Sequence, residues 1–427
     1  MKKILTIAAL SILSFGALTP ASAQEGWLYE GTQLIVPQDS DIDEDEVITF
    51  YVLNRHYDYQ GPEMPHYLIT DRKARAVFTI GGFVNFRTAF DFMDVMPDLD
   101  FIPALIPTQS SVSNTARVLM DGSTSRLFTE AVIKTRSGNP LKAYVEVDFR
   151  GEGNTLRLRQ AYVSYYGFKF GQATSTFTDI NSAYNTIDFE GPNAFTYRRN
   201  LMIQYTKAWQ SGISMGVALE YPVVEATYGS DNEAMYQRFP DLPLYVQYAW
   251  SSGYRASHIR LSALMRTMTY TDEVAMANKE RIGWGVQASG SFELGRAMRL
   301  YGQFTYGEGI SQYVQDLQGL PYDMISNLSD AGTMITLPTT AWFVGAEFHL
   351  TNKMPLTIGY SQVKLDNKEN YLSGSDYHLG QYIVANCFYN FGTAINVGIE
   401  YLYGSLDTFD GGWGKSNRLQ AAVQFNF

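Results

Sequence analysis

The chain is poor in several residue types, and each shortage excludes a class of protein. Its 427 residues contain one cysteine, Cys387, which excludes an internal disulfide and any cysteine-based zinc finger. Histidine is also rare, at five residues, and no glycine-rich phosphate loop or zinc-ligand spacing occurs. Beyond the N-terminal segment, no stretch approaches the roughly 20 apolar residues of a membrane helix. If this chain enters a membrane, we expect it to cross as strands.

Positive charge is scarce as well. The chain has 32 lysines and arginines against 43 acidic residues, a formal net charge of −11. Such a balance makes nucleic acid a poor partner, because phosphate contacts need basic residues. Part of the acidity is local, in residues 39–46. We interpret this acidic run as solvated surface, and a cation-binding patch is the alternative.

The first 23 residues predict a secretory signal peptide. Lys2 and Lys3 precede an apolar stretch at 4–18, and Ala-Ser-Ala at 21–23 is a small-residue cleavage site. We therefore expect export with cleavage near Ala23. Residues 24–75 would form an acidic periplasmic N-terminal segment, partly a strand or disordered, and residues 76–427 a membrane domain.

Aromatic residues and alternating polarity are abundant. The chain has 30 tyrosines and 25 phenylalanines, which favour strands. In residues 418–427, every second side chain from Leu419 to Phe427 is apolar and those between are mostly polar. A transmembrane barrel needs such a last strand, because pairing it with the first removes both sheet edges. The ending resembles the C-terminal signature of bacterial outer-membrane barrels, whose final Phe is read by the assembly machinery.

The same alternation recurs along the chain and predicts an all-β, transmembrane antiparallel β-barrel of about 16 strands. The strands are predicted near 76–92, 115–136, 141–150, 155–166, 167–175, 196–209, 212–221, 243–251, 257–271, 280–295, 297–308, 339–350, 354–365, 378–391, 393–404 and 415–427. Short connections, such as 352–353, alternate with long ones, such as 309–338. Tight periplasmic turns and long outer loops are typical of outer-membrane barrels.

The loop between the fifth and sixth strands carries acids, and the strands beside it carry arginines. We expect this loop, at about 176–195, to fold inward as the constriction of a pore, as in sixteen-stranded general porins. Of the adjacent Arg198 and Arg199, strand phase favours Arg198 for the lumen. The candidate constriction and solute-binding residues are Arg157, Arg159, Arg198, Asp179, Asp188, Glu190, Arg87 and Lys142. Arginines opposite carboxylates would favour small anions. Alternatively, these charges are wall ion pairs that hold the loop in place.

Two runs resemble the DcaP-like outer-membrane porin family: LRLRQAYVSYYGFKFGQATSTFTD at 156–179 and TIDFEGPNA at 186–194. The resemblance implies a sixteen-stranded trimeric porin of Gram-negative bacteria for small, often negatively charged solutes such as dicarboxylates. It also implies constriction roles for Arg157, Arg159 and the loop acids, which lie in the matched motif. Gln160 stands where the family usually has His, and residues 24–75 lack the heptads of the coiled coil that many members have.

These patterns predict an outer-membrane porin for passive diffusion of small hydrophilic solutes. We expect no catalysis, because the histidines form no coherent catalytic pattern, and no cofactor, because the gradient drives transport. The expected partners are outer-membrane lipid, the solutes, a homotrimer and the barrel-assembly machinery acting through Phe427. The alternative is a non-conducting barrel with a surface-binding or structural role. The 176–195 loop discriminates between the two, since a gap beside it makes a pore and a packed plug does not.

Overall fold

A computed structural model describes residues 33–35, 42–56, 67–92, 95–109, 116–251, 255–368, 371–372, 374–392 and 394–427. The expected signal peptide at 1–23 and the first part of the acidic run, through residue 41, lie outside the described residues. Within the described ranges, no helix combines the length and the apolar character that a membrane crossing requires.

Sixteen antiparallel strands of the described residues form a closed barrel. Their bounds are β1 Ala76–Phe92, β2 Ala116–Asp121 with Arg126–Lys134, β3 Pro140–Asp148, β4 Arg157–Tyr165, β5 Phe168–Thr174, β6 Arg199–Ala208, β7 Ile213–Glu220, β8 Leu242–Ser251, β9 Ala256–Asp272, β10 Ala277–Leu294, β11 Met298–Glu308, β12 Pro338–Thr351, β13 Met354–Leu365, β14 Tyr377–Phe391, β15 Ile395–Thr408 and β16 Trp413–Asn426. Each strand pairs with the next, and β16 pairs with β1. The predicted fold class is confirmed.

Strand phase decides which side chains face outward. On β1, Phe78 and Ile80 are 46% and 61% exposed, whereas Arg87 and Asp91, on the opposite phase, are buried. This division recurs around the barrel, with apolar side chains outside and charged side chains inside. An apolar outer band suits lipid, and the charged interior suits water.

Short turns connect neighbouring strands at one end of the barrel. The turn between β2 and β3 places Gly138 at φ 82°, a left-handed conformation that glycine adopts without strain. By the usual arrangement of outer-membrane barrels, this short-turn end faces the periplasm and the long loops face outward.

Three of the long connections fold into the barrel: 95–109, 175–198 and 309–337. Phe101, Tyr184 and Leu317, one from each, join Phe343 of β12 and Val384 of β14 in a single apolar core. Such a core occupies part of the lumen. The sequence predicted an inward loop only for the second of these connections.

The N-terminal segment contains a helix, α1 (Glu44–Asn54), in the described residues. Asp43 caps it, because its side chain accepts a hydrogen bond from the Glu46 N–H at 3.2 Å. The strand Tyr67–Thr70 pairs with β1 and also, in parallel, with the strand Gln33–Ile35. Sequence patterning missed α1, because the apolar run at 47–53 is rich in β-branched and aromatic residues, which favour strands.

Smaller elements lie in the described parts of the connections between barrel strands. The short strands are Ala226–Thr227, Asn232–Ala234, Met324–Ser326 and Met334–Thr336, and the 3-10 turns are Pro103–Leu105, Glu152–Asn154, Ile180–Ser182, Ser311–Tyr313 and Gln315–Leu317. Three of these strands pair with one another, which ties the 222–241 connection to the 309–337 connection.

Candidate functional site in the barrel lumen

The 175–198 loop crosses the lumen and is anchored on the far wall. Asp179 Oδ2 lies 2.8 Å from His258 Nε2 and accepts a hydrogen bond from the Ser289 hydroxyl at 2.6 Å. Further along, the Ile187 and Asp188 N–H groups donate to the Glu400 carboxylate at 2.9 and 2.8 Å. These contacts lie on β9, β10 and β15, away from the strands that carry the loop.

Tyr184 wedges the middle of this loop against the barrel wall. Its ring packs on Gly345 of β12 and Gly359 of β13, where an added Cβ would lie 2.2 and 2.3 Å from ring atoms. Only glycine leaves room for this contact. The loop position is therefore encoded in the wall as well as in the loop.

His258 has a serine as well as an acid beside it. Ser291 Oγ lies 3.2 Å from His258 Nδ1 and accepts a hydrogen bond from Arg299 at 2.7 Å. Asp179, His258 and Ser291 are all buried. We interpret the group as an anchor of the loop. Sequence reasoning missed it, because Asp179 is far from His258 in the chain.

The 309–337 connection is held by a buried arginine. Arg266 of β9 bonds to Asp241 at 3.1 Å and to Asp323 at 3.0 Å, and both its partners are buried. The Ala104 N–H of the 95–109 connection donates to Asp316 at 2.9 Å. All three inward connections are thus fixed by hydrogen bonds as well as by apolar packing.

Beside this packed region, one side of the lumen gathers arginines, which we name the arginine cluster. Its members are Arg126, Arg150, Arg157, Arg159 and Arg199. The Phe189 ring of the loop lies among them, with its centroid 4.4 Å from the guanidinium of Arg150, 5.8 Å from Arg157 and 5.5 Å from Arg159. Arg199 lies near enough to Arg126, Arg157 and Arg159 to be repelled by their positive charges.

Carboxylates of the wall pair with several cluster members. Arg157 grips Asp148 by two bonds of 3.0 and 2.7 Å, and Arg159 bonds to the same carboxylate at 3.0 Å and to Glu146. A register shift after Glu146 turns both Arg159 and Gln160 inward. The Arg157 side chain remains 35% exposed, whereas Arg159 is buried. Arg157 therefore presents charge to water.

Glu190 joins the cluster from the loop. Burial and the nearby Asp100 carboxylate raise the pKa of Glu190 to about 7, against a Gln315 hydrogen bond and the charges of Arg150 and Arg199. This carboxyl group is consequently only partly ionised near neutral pH. The cluster keeps a positive excess, because its five arginines face the carboxylates of Asp100, Glu146 and Asp148 and the partly ionised Glu190.

Arg87 forms a second charged group beside the loop. It bonds to Asp100 at 3.1 Å and to Asp121 at 3.3 Å, and lies 3.9 Å from Asp188. Burial, with the carboxylates of Asp100 and Glu400, raises the pKa of Asp188 to about 7. Asp188 also accepts the Phe101 N–H at 3.1 Å, so this group links two inward connections.

The other predicted residues lie elsewhere. Arg198 donates to Asn200 and to the Gln312 carbonyl, both at 2.8 Å, on the side of the 309–337 connection. Lys142 lies 3.9 Å from Glu130, near the short-turn mouth. Asp179, in the loop, bonds to His258 and Ser289 of the far wall. Strand phase placed Arg198 in the lumen but did not identify Arg199 as the arginine beside the cluster, because the chain leaves regular strand geometry just there.

The interior thus has features of both interpretations of the sequence, the anion-favouring constriction and the wall ion pairs that hold the loop. Most of the predicted charges are ion-paired or hydrogen-bonded and hold the loop, as in the alternative interpretation. Arg157 and its neighbours nevertheless leave positive charge at a water-accessible part of the wall. Such an arrangement can attract anions and orient a carboxylate through paired N–H donors.

Comparisons with known proteins agree with this architecture. The family described as DcaP outer membrane protein matches residues 70–298, which is more than half of the 427 residues. The outer membrane channel DcaP of Acinetobacter baumannii is similar with a TM-score of 0.71 and 22% identity, over 83% of this chain and 98% of that one. An anion-selective porin from Comamonas acidovorans gives a TM-score of 0.54 and 12% identity, over 82% and 100%. No curated protein sequence matches the chain.

Proposed function

The chain belongs to the DcaP outer membrane protein family, and we propose that it is a porin for passive diffusion of small hydrophilic solutes, with a preference for anions. Family membership establishes an outer membrane protein and the resemblance to channels establishes its fold. The solute preference is our inference from the lumen, and dicarboxylates are the class that the family resemblance suggests.

The arginine cluster is the observation that carries this proposal. Arg157 is water-accessible, and its guanidinium stays charged at any physiological pH. The cluster lies beside the tip of the loop that crosses the lumen, with Phe189 among its guanidinium groups. Where a lumen is narrowed, fixed charge of one sign sets which ions enter. We propose that solutes pass along the water-accessible face of the cluster, where the Arg157 side chain is exposed.

We propose a trimer as the assembled form, with an N-terminal signal peptide removed near Ala23 and assembly guided through Phe427. The exposed apolar side chains around the barrel suit both lipid and a second copy of the chain. A cross-linking ladder of the purified protein in mild detergent tests the trimer, and the mass of the mature chain tests the cleavage site.

A non-conducting barrel is the second candidate, and one observation favours it. The three inward connections share an apolar core that occupies part of the lumen. If that core closed the whole cross-section, the barrel would act as a surface-binding or structural protein. Conduction is the property that separates the two candidates.

The test is single-channel recording in a planar bilayer with a salt gradient across it. A porin should give stepwise currents and a reversal potential on the anion-selective side. Arg157→Gln should shift the reversal potential toward cations, because it removes one water-accessible charge from the wall. Arg238→Gln, an equal charge loss on an exposed outer loop, is the matched control and should leave it unchanged.

The outcomes are distinct. A silent but folded barrel would refute the porin and favour the second candidate. Conduction with an unchanged reversal potential in Arg157→Gln would refute the role of the arginine cluster and leave the porin standing.

A further inference from the structure

Helix α1 lies inside the barrel at its short-turn mouth. Val47 and Tyr51 are both 1% exposed, and they pack with Leu68, Val77 and Val132. Val77 and Val132 belong to the inward phase of β1 and β2. Helix α1 thus covers a part of the barrel wall that would otherwise face the lumen.

Polar contacts fasten the same segment to one wall carboxylate. The Tyr51 hydroxyl donates to Glu130 Oε2 at 3.1 Å, and the His56 N–H donates to Oε1 at 2.5 Å. At the other end of the helix, Glu46 pairs with Lys134 at 2.9 Å, close to the turn after β2. Two of these three contacts depend on the single residue Glu130.

The His56 side chain fills an aromatic niche in the wall. Its ring centroid lies 4.1 Å from that of Tyr144, and its Nδ1 lies 2.7 Å from the Tyr162 hydroxyl. Gln160 Nε2 lies 3.4 Å from its other ring nitrogen. Tyr144 lies on β3, and Gln160 and Tyr162 lie on β4, the strand that carries Arg157 and Arg159 nearer its other end.

Basic residues continue along this wall below the arginine cluster. Lys142 lies 3.9 Å from Glu130, and the Lys169 ammonium lies 4.9 Å from the Tyr162 ring centroid. An anion that left the cluster toward the periplasm would therefore meet Lys142 and Lys169 next. In the structure, α1 and His56 lie over this part of the wall.

We propose that residues 42–56 form a displaceable plug that closes the periplasmic mouth of the pore, with His56 and Tyr51 as its latch. Contacts between the plug and the wall are mostly a small apolar patch and a few hydrogen bonds, which suits reversible docking. A helix is about 10 Å wide with its side chains, so its insertion removes a large part of any aqueous passage. The plug rests on the proposed porin function, since it regulates that pore.

Cross-linking after folding tests the plug without risk to assembly. Glu46→Cys with Lys134→Cys, in a Cys387→Ala background, places two thiols where the side chains of an ion pair now meet. A short bismaleimide should join them and fix α1 in the mouth. The expected result is a lower conductance and loss of open–closed flicker relative to the untreated protein. Each single-cysteine variant, treated with the same reagent, is the control.

A second variant weakens the latch without changing the packing. Tyr51→Phe removes one hydrogen bond to a carboxylate and should raise the open-to-closed ratio about tenfold, the change expected for losing one such bond. Tyr236→Phe, on a 93% exposed outer-loop residue, is the matched control.

Three outcomes decide the proposal. Reduced current after cross-linking, with more open time in Tyr51→Phe, supports the plug. Equal currents before and after cross-linking, with wild-type gating in Tyr51→Phe, overturn the plug and leave the porin intact. The absence of current in every form, including Tyr51→Phe, overturns the porin and the plug together.

Discussion

The pairing of Arg418 with Asp91 at the barrel seam gives the sharpest prediction about stability. The two residues lie directly opposite each other on β16 and β1, where the barrel closes. Arg418 donates to both carboxylate oxygens of Asp91, at 2.6 and 3.1 Å, and to the Leu99 carbonyl at 2.6 Å. Both side chains are 0% exposed. One side chain therefore ties together the seam and the inward 95–109 connection.

Arg418→Met should destabilise the barrel by about 3 kcal/mol. Removing one partner of a buried ion pair costs about 3–5 kcal/mol, because the other charge stays buried and uncompensated. We take the lower end, since Arg117 still lies 3.2 Å from Asp91 and neutralises part of its charge. This loss corresponds to about a 150-fold change in the folded-to-unfolded ratio.

The assay is urea unfolding of the refolded protein in lipid vesicles, followed by tryptophan fluorescence and by heat-modifiable migration in gels. Asp91→Asn combined with Arg418→Met should recover most of the lost stability, because it removes the buried carboxylate charge that Arg418→Met leaves unpaired. Lys415→Met, an equal charge loss at a half-buried residue on the same strand, should cost well under half as much. A single variant that lost less than about 1 kcal/mol, or a double variant as unstable as the single one, would refute this account of the seam.

Two further predictions test the lipid-facing surface and the charge of the loop. Ala421 faces outward between Thr88 and Ile399, so Ala421→Arg should cost about 2–4 kcal/mol or block assembly, whereas Ala421→Leu should fold normally. Normal heat-modifiable folding of the arginine variant would mean that the strand phase is wrong. Glu190, with its pKa raised to about 7 by burial and Asp100, gains negative charge as pH rises, so anion selectivity should fall between pH 5 and pH 9. Glu190→Gln should remove part of this pH dependence of the reversal potential, and the exposed Glu233→Gln should not; equal pH profiles in the two variants would contradict the role of Glu190.

The barrel could be predicted from the sequence because its two environments alternate residue by residue. On β1, the apolar phase of Phe78 and Ile80 and the polar phase of Arg87 and Asp91 are both visible in the printed chain. The alternation of short and long connections then predicted which end of the barrel faces the periplasm. The strands, their number and their closure followed from this local pattern.

The arrangement of the lumen could not be predicted in the same way, because it depends on contacts between distant segments. His258 meets Asp179 across the barrel, and Tyr184 docks where Gly345 and Gly359 leave space. The bulge that turns both Arg159 and Gln160 inward breaks the period that sequence reasoning relies on. The constriction roles of the charged residues remain predictions.

The inward connections at 95–109 and 309–337 and the helix α1 were missed for a related reason. Their apolar residues, such as Phe101 and Leu317, show no regular spacing, so nothing local distinguishes a loop that packs inside from one that lies outside. In α1, tertiary packing of Val47 and Tyr51 against the wall overrides the strand preference of the surrounding run.

The seam between β16 and β1 has a consequence for how the protein folds. Asn85 and Gln424, which bond across it at 3.2 Å, are 339 positions apart in the chain. Contacts at such separation form slowly, because the entropy of closing the long loop must be lost before the pairing can offset it. We therefore expect the last hairpin to complete the cylinder, and until it does so two unpaired strand edges remain open to other chains. Closure of this seam thus removes both edges and protects the protein from aggregation.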